Sequence, residues 1–501
     1  MVSSLHVSPT YLAVLVSLLA TVLAAPRPMS SFPLSMNLQR RVPQARSADD
    51  IAAWAKMHKQ NVEAKYGNPS LMKKRSSGQN LIVNQAADSS FFGSVAVGTP
   101  PVAYNVILDT GSADLWLASS SCTDSACQGI PPFNPSSSST FSASSTPFNI
   151  TYGSGEAAGT LGTDVVRMAG FAVSNQIFAV CDEVSEDLLN SPVSGLMGLA
   201  FQTIASSGAM PFWETLVASG AWTEPLMAFQ LTRYNNDSSA EDLEPGGTLT
   251  MGAVNTSLYT GDIDYNDIPD NETSFWLQTI SAITSQGSSI SIPSGSSALA
   301  AIDTGTTLIG GPSSAIAKIY ANIPGSQAGT GNLEGYYTYP CSTNVKVSMS
   351  FGGNSWPISN ADFQSEQLNE ETCVGAFFEV STGADAPAWI VGDTFLKNVY
   401  SVFRYNPPSV GFAQLSASDI AMNGINAAVP SATVASAVAV TVSATASVAS
   451  STGAAIAVAS AASATASQKP NNAATLSFVS CSLSVLLPFP VIASMMLYLL
   501  V

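Results

Sequence analysis

Two copies of one short motif constrain this chain more than any other feature. Val106-Ile-Leu-Asp109-Thr-Gly-Ser112 recurs as Ala301-Ile-Asp303-Thr-Gly-Thr306, with the second aspartate 194 residues after the first. Each copy is an apolar run leading into Asp-Thr-Gly and then a hydroxyl residue. At average composition one Asp-Thr-Gly-Ser/Thr arises by chance in a chain this long about once in a hundred. A single copy would be ordinary turn chemistry. Two copies, each behind an apolar run, point to a shared chemical task.

Paired carboxylates suit hydrolysis without a metal or a covalent nucleophile. Such a reaction needs an activated water and a proton for the carbonyl oxygen. Two carboxyl groups held close together supply both, because like charges at short range do not both ionise easily and one proton is shared. Asp109 and Asp303 are the candidate pair. They titrate as a unit, so neither has a pKa of its own. Gly111 and Gly305 allow close approach of substrate or of the facing loop. Thr110 and Thr304 have branched, hydroxyl-bearing stems suited to locking two loops together. Ser112 and Thr306 are placed to bond the outer carboxylate oxygens and orient the pair. The scheme calls for no cofactor and no metal.

The 501 residues suffice for two or three domains, and only 10% of them are charged. Residues 1–75 carry 10 Lys+Arg against 3 Asp+Glu, a net of +7, whereas residues 76–501 carry 7 against 31, a net of −24. A basic head on an acidic body implies electrostatic attraction between them, and the scarcity of cations argues against nucleic acid as a partner. Residues 1–25 read as a signal peptide, with an apolar run Tyr11–Leu23 followed by Ala24 and Ala25. Residues 26–75 form a basic pro-segment ending in Lys73-Lys74-Arg75, a multibasic processing site. From about residue 80 to 415, short apolar or alternating runs broken by Gly, Pro, Ser and Asn give a β signature. One helix is expected at Pro211–Ser219, ended by Gly220. Residues 416–472 are Ala-, Ser-, Val- and Thr-rich and read as an O-glycosylated stalk. Residues 473–501 are largely apolar and resemble a glycosylphosphatidylinositol signal, with Asn472 the candidate attachment site. A single-span helix is the alternative, disfavoured by Pro488 and Pro490. Sequons occur at Asn149, Asn236, Asn255 and Asn271. Of six cysteines, Cys122 with Cys127 and Cys341 with Cys373 are candidate local disulfides, Cys481 lies in the tail, and Cys181 is left as a buried thiol.

Over residues 86–415 the sequence resembles the pepsin family of aspartic endopeptidases. Beside the two Asp motifs, Ile150-Thr-Tyr152-Gly-Ser-Gly155 resembles the family's flap, and Asp114-Leu-Trp116 the segment whose tryptophan supports the flap tyrosine. Ser194-Gly-Leu-Met-Gly-Leu-Ala200 and Trp389-Ile-Val-Gly-Asp-Thr-Phe-Leu396 resemble the apolar segments that follow each catalytic loop. The resemblance implies a mainly β, bilobal fold with a cleft between pseudo-twofold-related lobes at about 80–255 and 256–415. It makes Asp109 and Asp303 catalytic, Tyr152, Gly153, Ser154 and Trp116 flap and substrate-binding residues, and the two cysteine pairs disulfides. It also implies a zymogen, with Lys65 and Tyr66 of the pro-segment sitting over the carboxylates at neutral pH. The expected enzyme is a monomer cutting extended peptides in acid, extracellular and joined to membrane or cell wall by a lipid. Phe403-Arg404-Tyr405 departs from the family, which often has aspartate after the phenylalanine. A surface glycoprotein using the fold only for binding is the competing reading, and the intact pair and flap argue against it.

Overall fold

The computed structural model describes residues 76–186, 188–235, 237–383, 386–417, 429–433 and 440–444. Their architecture is mainly β, in two lobes joined through a shared sheet. Six antiparallel strands run in the order Tyr259–Asp267, Ser409–Leu415, Val399–Arg404, Leu226–Leu231, Leu243–Met251 and Gly78–Gln85. The sheet then continues through Ser90–Val97 into the strands that carry the first motif. Strands from both halves of the chain thus form one platform.

Above that platform the two motifs repeat one local topology. Val102–Asp109 pairs in parallel with Val193–Gly198, which pairs antiparallel with Leu115–Ala118. Leu299–Ile302 likewise pairs in parallel with Trp389–Val391, which pairs antiparallel with Ile309–Gly311. In each copy the apolar segment from much later in sequence therefore lies between the strand that delivers the aspartate and the strand that follows the Asp loop. All six residues of Val193–Gly198 and all three of Trp389–Val391 are buried. That explains their continuous apolar runs: a strand covered on both faces shows no alternation.

The core beneath the motifs is aromatic. Phe201, Trp213, Trp222, Trp276, Phe403 and Tyr405 pack with ring centroids 4.4–6.4 Å apart. Burying an indole costs its N–H unless it finds an acceptor. Trp276 Nε1 donates to Leu199 O and Trp213 Nε1 to Ala200 O, both at 2.9 Å. Two tryptophans, one from each half of the chain, thereby fix the chain just behind the first motif.

The helix Phe212–Ala218 forms where expected, with Pro211 ahead of it and Gly220 beyond it at φ 67°. A second helix, Ser313–Ala321, goes beyond the sequence reading. It starts after Pro312 and buries Ala315, Ile316, Ile319 and Tyr320, a spacing that lays one face on the sheet. Disulfides join Cys122 to Cys127 and Cys341 to Cys373, and Cys181 is a buried free thiol. Within the stretch read as a stalk, Val440–Ser443 is a strand laid parallel on Phe171–Ser174. Among the described residues no helix is long and apolar enough to cross a membrane.

Candidate active site

The strand Val102–Asp109 ends on Asp109, and Leu299–Ile302 ends one residue before Asp303. The two loops meet, and both carboxyls are fully buried and hydrogen-bonded to one another. Each carboxyl has the same local donors. Gly111 N reaches Asp109 Oδ1 at 2.7 Å, and Gly305 N reaches Asp303 Oδ1 at 2.8 Å. Ser112 Oγ donates to Asp109 Oδ2, and Thr306 Oγ1 to Asp303 Oδ2 at 2.7 Å.

The threonines explain why the loops stay together. Thr110 Oγ1 donates to Ile302 O at 2.8 Å and accepts from Thr304 N at 3.0 Å. Thr304 Oγ1 donates to Leu108 O at 2.6 Å and accepts from Thr110 N at 3.1 Å. Four bonds cross between the loops, two from each hydroxyl, so every polar group at the junction has a partner. The glycines are required by crowding. A Cβ on Gly111 would lie 2.5 Å from Asp303 Oδ2, and one on Gly305 would collide with Asp109 in the same way.

Burial, which penalises the charged form, raises the pKa of Asp109 even against donation from Ser112, Asp303 and Gly111. Burial and then the neighbouring charge of Asp109 push Asp303 well above the usual carboxylate range. The pair therefore holds one proton over a pH range in which isolated carboxylates have lost theirs.

Over the pair lies a hairpin of Ser142–Tyr152 and Gly155–Met168, turning at Gly153 and Ser154. Gly155 sits at φ 152°, and Tyr152 points inward with only 4% of its surface exposed. Trp116, on Leu115–Ala118, donates from Nε1 to Tyr152 Oη at 2.7 Å. Ser154 lines a small cavity with Thr304, Gly305 and Asp393. Asn149 lies exposed on the same hairpin, Asn271 is exposed in a turn, and Asn255 is half-buried with Oδ1 accepting from Ser257 N and Oγ. Asn236, Lys65, Tyr66 and Asn472 lie outside the described residues.

Three acidic features were not assigned a role from sequence. Asp393 is fully buried behind the second loop, its N–H bonded to Thr306 O at 2.8 Å, and burial drives its pKa well up. The signal was visible as an aspartate directly after the apolar-Gly segment. Asp114 is buried and accepts from Ser206 N at 2.7 Å and from Ser207 N at 3.0 Å, tying the first loop to the 206–207 turn. The third is an ion cluster: Lys397 Nζ contacts Asp88 Oδ2 at 2.6 Å and Asp362 Oδ1 at 3.1 Å, and Arg233 pairs with Asp362 through two nitrogens. Two of the seven cations in residues 76–501 are spent there, which their scarcity hinted at. At the departure from the family pattern, Arg404 lies 3.9 Å over the ring of Tyr265 and donates to Ser409 Oγ at 2.8 Å.

Comparison with known proteins agrees with this geometry. Residues 90–415 match the family profile described as eukaryotic aspartyl protease. The chain is similar to major aspartyl peptidase 1 of Cryptococcus neoformans var. grubii, at 49% identity over 68% of this chain and 72% of the relative. It is also similar to an aspartic protease of Phaffia rhodozyma, at 33% identity over 74% and 88%, and to pepsin A of Sus scrofa, at 33% over 66% and 82%.

Proposed function

From the premise that this chain belongs to the eukaryotic aspartyl protease family, and is thereby a pepsin-type aspartic endopeptidase acting on peptide substrates, we propose that Asp109 and Asp303 are its catalytic dyad and that it works in acid. The observation that carries the proposal is the symmetric donor set around two buried, mutually bonded carboxyls.

The reaction follows from one shared proton. The ionised member of the pair takes a proton from a water held between the two carboxyls. The protonated member donates to the oxygen of the scissile carbonyl as the water oxygen bonds to its carbon. A neutral tetrahedral diol results, and the pair again holds one proton. Transfer of a proton to the amide nitrogen and collapse of the diol then break the C–N bond and release acid and amine. Ser112, Thr306 and the Gly111 and Gly305 amides hold the carboxyls in place so that little reorganisation accompanies each transfer. Tyr152 and the Gly153–Ser154 turn close over the substrate, excluding water. Raising the pH until the pair loses its last proton removes the donor, and so ends activity.

The same reading makes residues 26–75 an inhibitory pro-segment. Its charge of +7 opposes a body of −24, and Lys65 would neutralise the dyad. Acid protonates body carboxylates, weakens that attraction and frees the cleft. Signal peptide, multibasic cleavage, N-glycans and a lipid anchor near Asn472 complete an extracellular, surface-attached enzyme.

The test is hydrolysis of an unfolded protein in mild acid by the secreted form ending before residue 471. It is run with and without a statine-type inhibitor, beside Asp109→Asn. Inhibitable cleavage that the variant lacks supports the dyad. A folded, pro-segment-free protein that cleaves nothing overturns it in favour of a binding module.

A further inference from the structure

The low-complexity tail does not leave the body at once. The last strand of the shared sheet ends at Leu415, and Ser416 N still bonds Leu258 O at 3.0 Å. The chain then meets the first lobe twice. At Thr433, the backbone N–H donates to Ser94 Oγ at 2.8 Å, and that hydroxyl lies 3.3 Å from Thr433 O. At Val440–Ser443, the chain pairs in parallel with Phe171–Ser174, residue for residue. The pairing is extended by Ala444 N to Ser174 O at 3.0 Å and by a 2.7 Å contact between the Ser174 and Ser443 hydroxyls.

Side-chain alternation shows this to be a specified strand. Val440 and Val442 are half-buried and pack against the main core with Ala444, whereas Thr441 and Ser443 face out. The helix Phe212–Ala218 lies against the same strand. Period-2 burial of β-branched residues is what a sheet edge demands. The edge being covered is one that needs covering. Phe171–Val173 pairs on one side with Val166–Met168, and the strand on its other side pairs only further along, at Ala179–Cys181, so without Val440–Ser443 this edge would be unpaired and open to another chain.

We propose that residues 429–433 and 440–444 are parts of a C-terminal strap belonging to the folded catalytic body, which binds the first lobe and closes its open edge. The stretch read as a stalk is then counted from residue 445. If Asn472 carries the lipid, which rests on the reading above, the free tether is 28 residues, with a full reach of about 90 Å. The strap itself does not depend on that reading. It fixes the point at which the tether departs on the lobe that holds Asp109 and the flap.

Amide hydrogen exchange on the full chain tests this. Residues 440–444 should exchange at least tenfold more slowly than residues 445–468. Val442→Asp, on the inward face, should speed exchange at Phe171–Ser174 at least tenfold, whereas the outward Thr441→Asp should not. Equal exchange in 440–444 and 445–468 overturns the proposal, as does an equal effect of the two variants. The first comparison needs no variant, so it decides the matter even if Val442→Asp is poorly folded.

Discussion

The junction between the two Asp loops allows a quantitative prediction from Thr110 and Thr304. Thr→Val keeps shape and volume but removes the hydroxyl. Thr110→Val takes away the acceptor of Thr304 N and the donor to Ile302 O, and Thr304→Val does the same to Thr110 N and Leu108 O. All four backbone groups lie where water does not reach. Leaving a buried donor or acceptor unsatisfied costs about 1–3 kcal/mol, so two orphans should cost about 2–6 kcal/mol per variant. That is a large part of a typical stability of about 5–15 kcal/mol. The symmetry adds a sharper demand: the two variants should be destabilised almost equally, although they lie in different lobes. Urea unfolding at mild acid pH, in an Asp109→Asn background that suppresses self-digestion, would measure both. A loss below about 0.5 kcal/mol in either variant, the range of an ordinary surface change, would refute the reasoning. So would a large loss in one and none in the other.

Three further outcomes follow from other contacts. Trp116→Phe removes the donor to the Tyr152 hydroxyl and should lower kcat/KM about tenfold, the equivalent of roughly 1.4 kcal/mol; steady-state kinetics showing reduced stability with unchanged kcat/KM would reduce Trp116 to core packing. Lys397→Met leaves Asp88 and Asp362 short of a buried counter-charge and should cost about 3–5 kcal/mol in denaturant unfolding, far more than an exposed lysine such as Lys346. Thermal unfolding across pH should show stability falling as pH rises above the ordinary carboxylate value of 3.8, because Asp303 and Asp393 are raised well above it; Asp393→Asn should flatten that fall.

Much of the site was legible because its chemistry is local. The Asp-Thr-Gly motifs, the flap turn and Trp116 each announce themselves within a few residues, and the fold brings them together around Asp109 and Asp303. The helix at Phe212–Ala218 was legible for the same reason, being framed by Pro211 and Gly220. What escaped the sequence is what distant chain segments make jointly. Lys397 and Asp88 are 309 positions apart, and nothing local marks either as buried. The helix Ser313–Ala321 is two and a half turns long, too short for its periodicity to stand out beside the surrounding β pattern. Val440–Ser443 was hidden by composition, since Val-Thr-Val-Ser reads as low complexity until the edge at Phe171–Ser174 gives its alternation a partner.

Two sets of buried carboxyls, with pKa values shifted in opposite directions, should govern how the protein responds to pH. Asp109, Asp303 and Asp393 are raised chiefly by burial, so their neutral forms suit the fold. The stability they contribute is present in full below their unfolded value and is lost as pH climbs through their folded values. At Asp362 burial is outweighed by Lys397 and Arg233, which hold the carboxyl below its ordinary value. Its contribution is present above 3.8 and is lost as pH falls through the lower folded value. The two together favour mild acid, where the dyad keeps one proton and the cluster keeps its charges. On the proposed mechanism the requirement of the chemistry and that of the fold coincide: the pH rise that would strip the Asp109/Asp303 pair of its proton also charges carboxyls that the core cannot solvate. An enzyme built this way should lose activity and stability over the same rise in pH, and separating the two, as Asp393→Asn is designed to do, would show which one limits the active range.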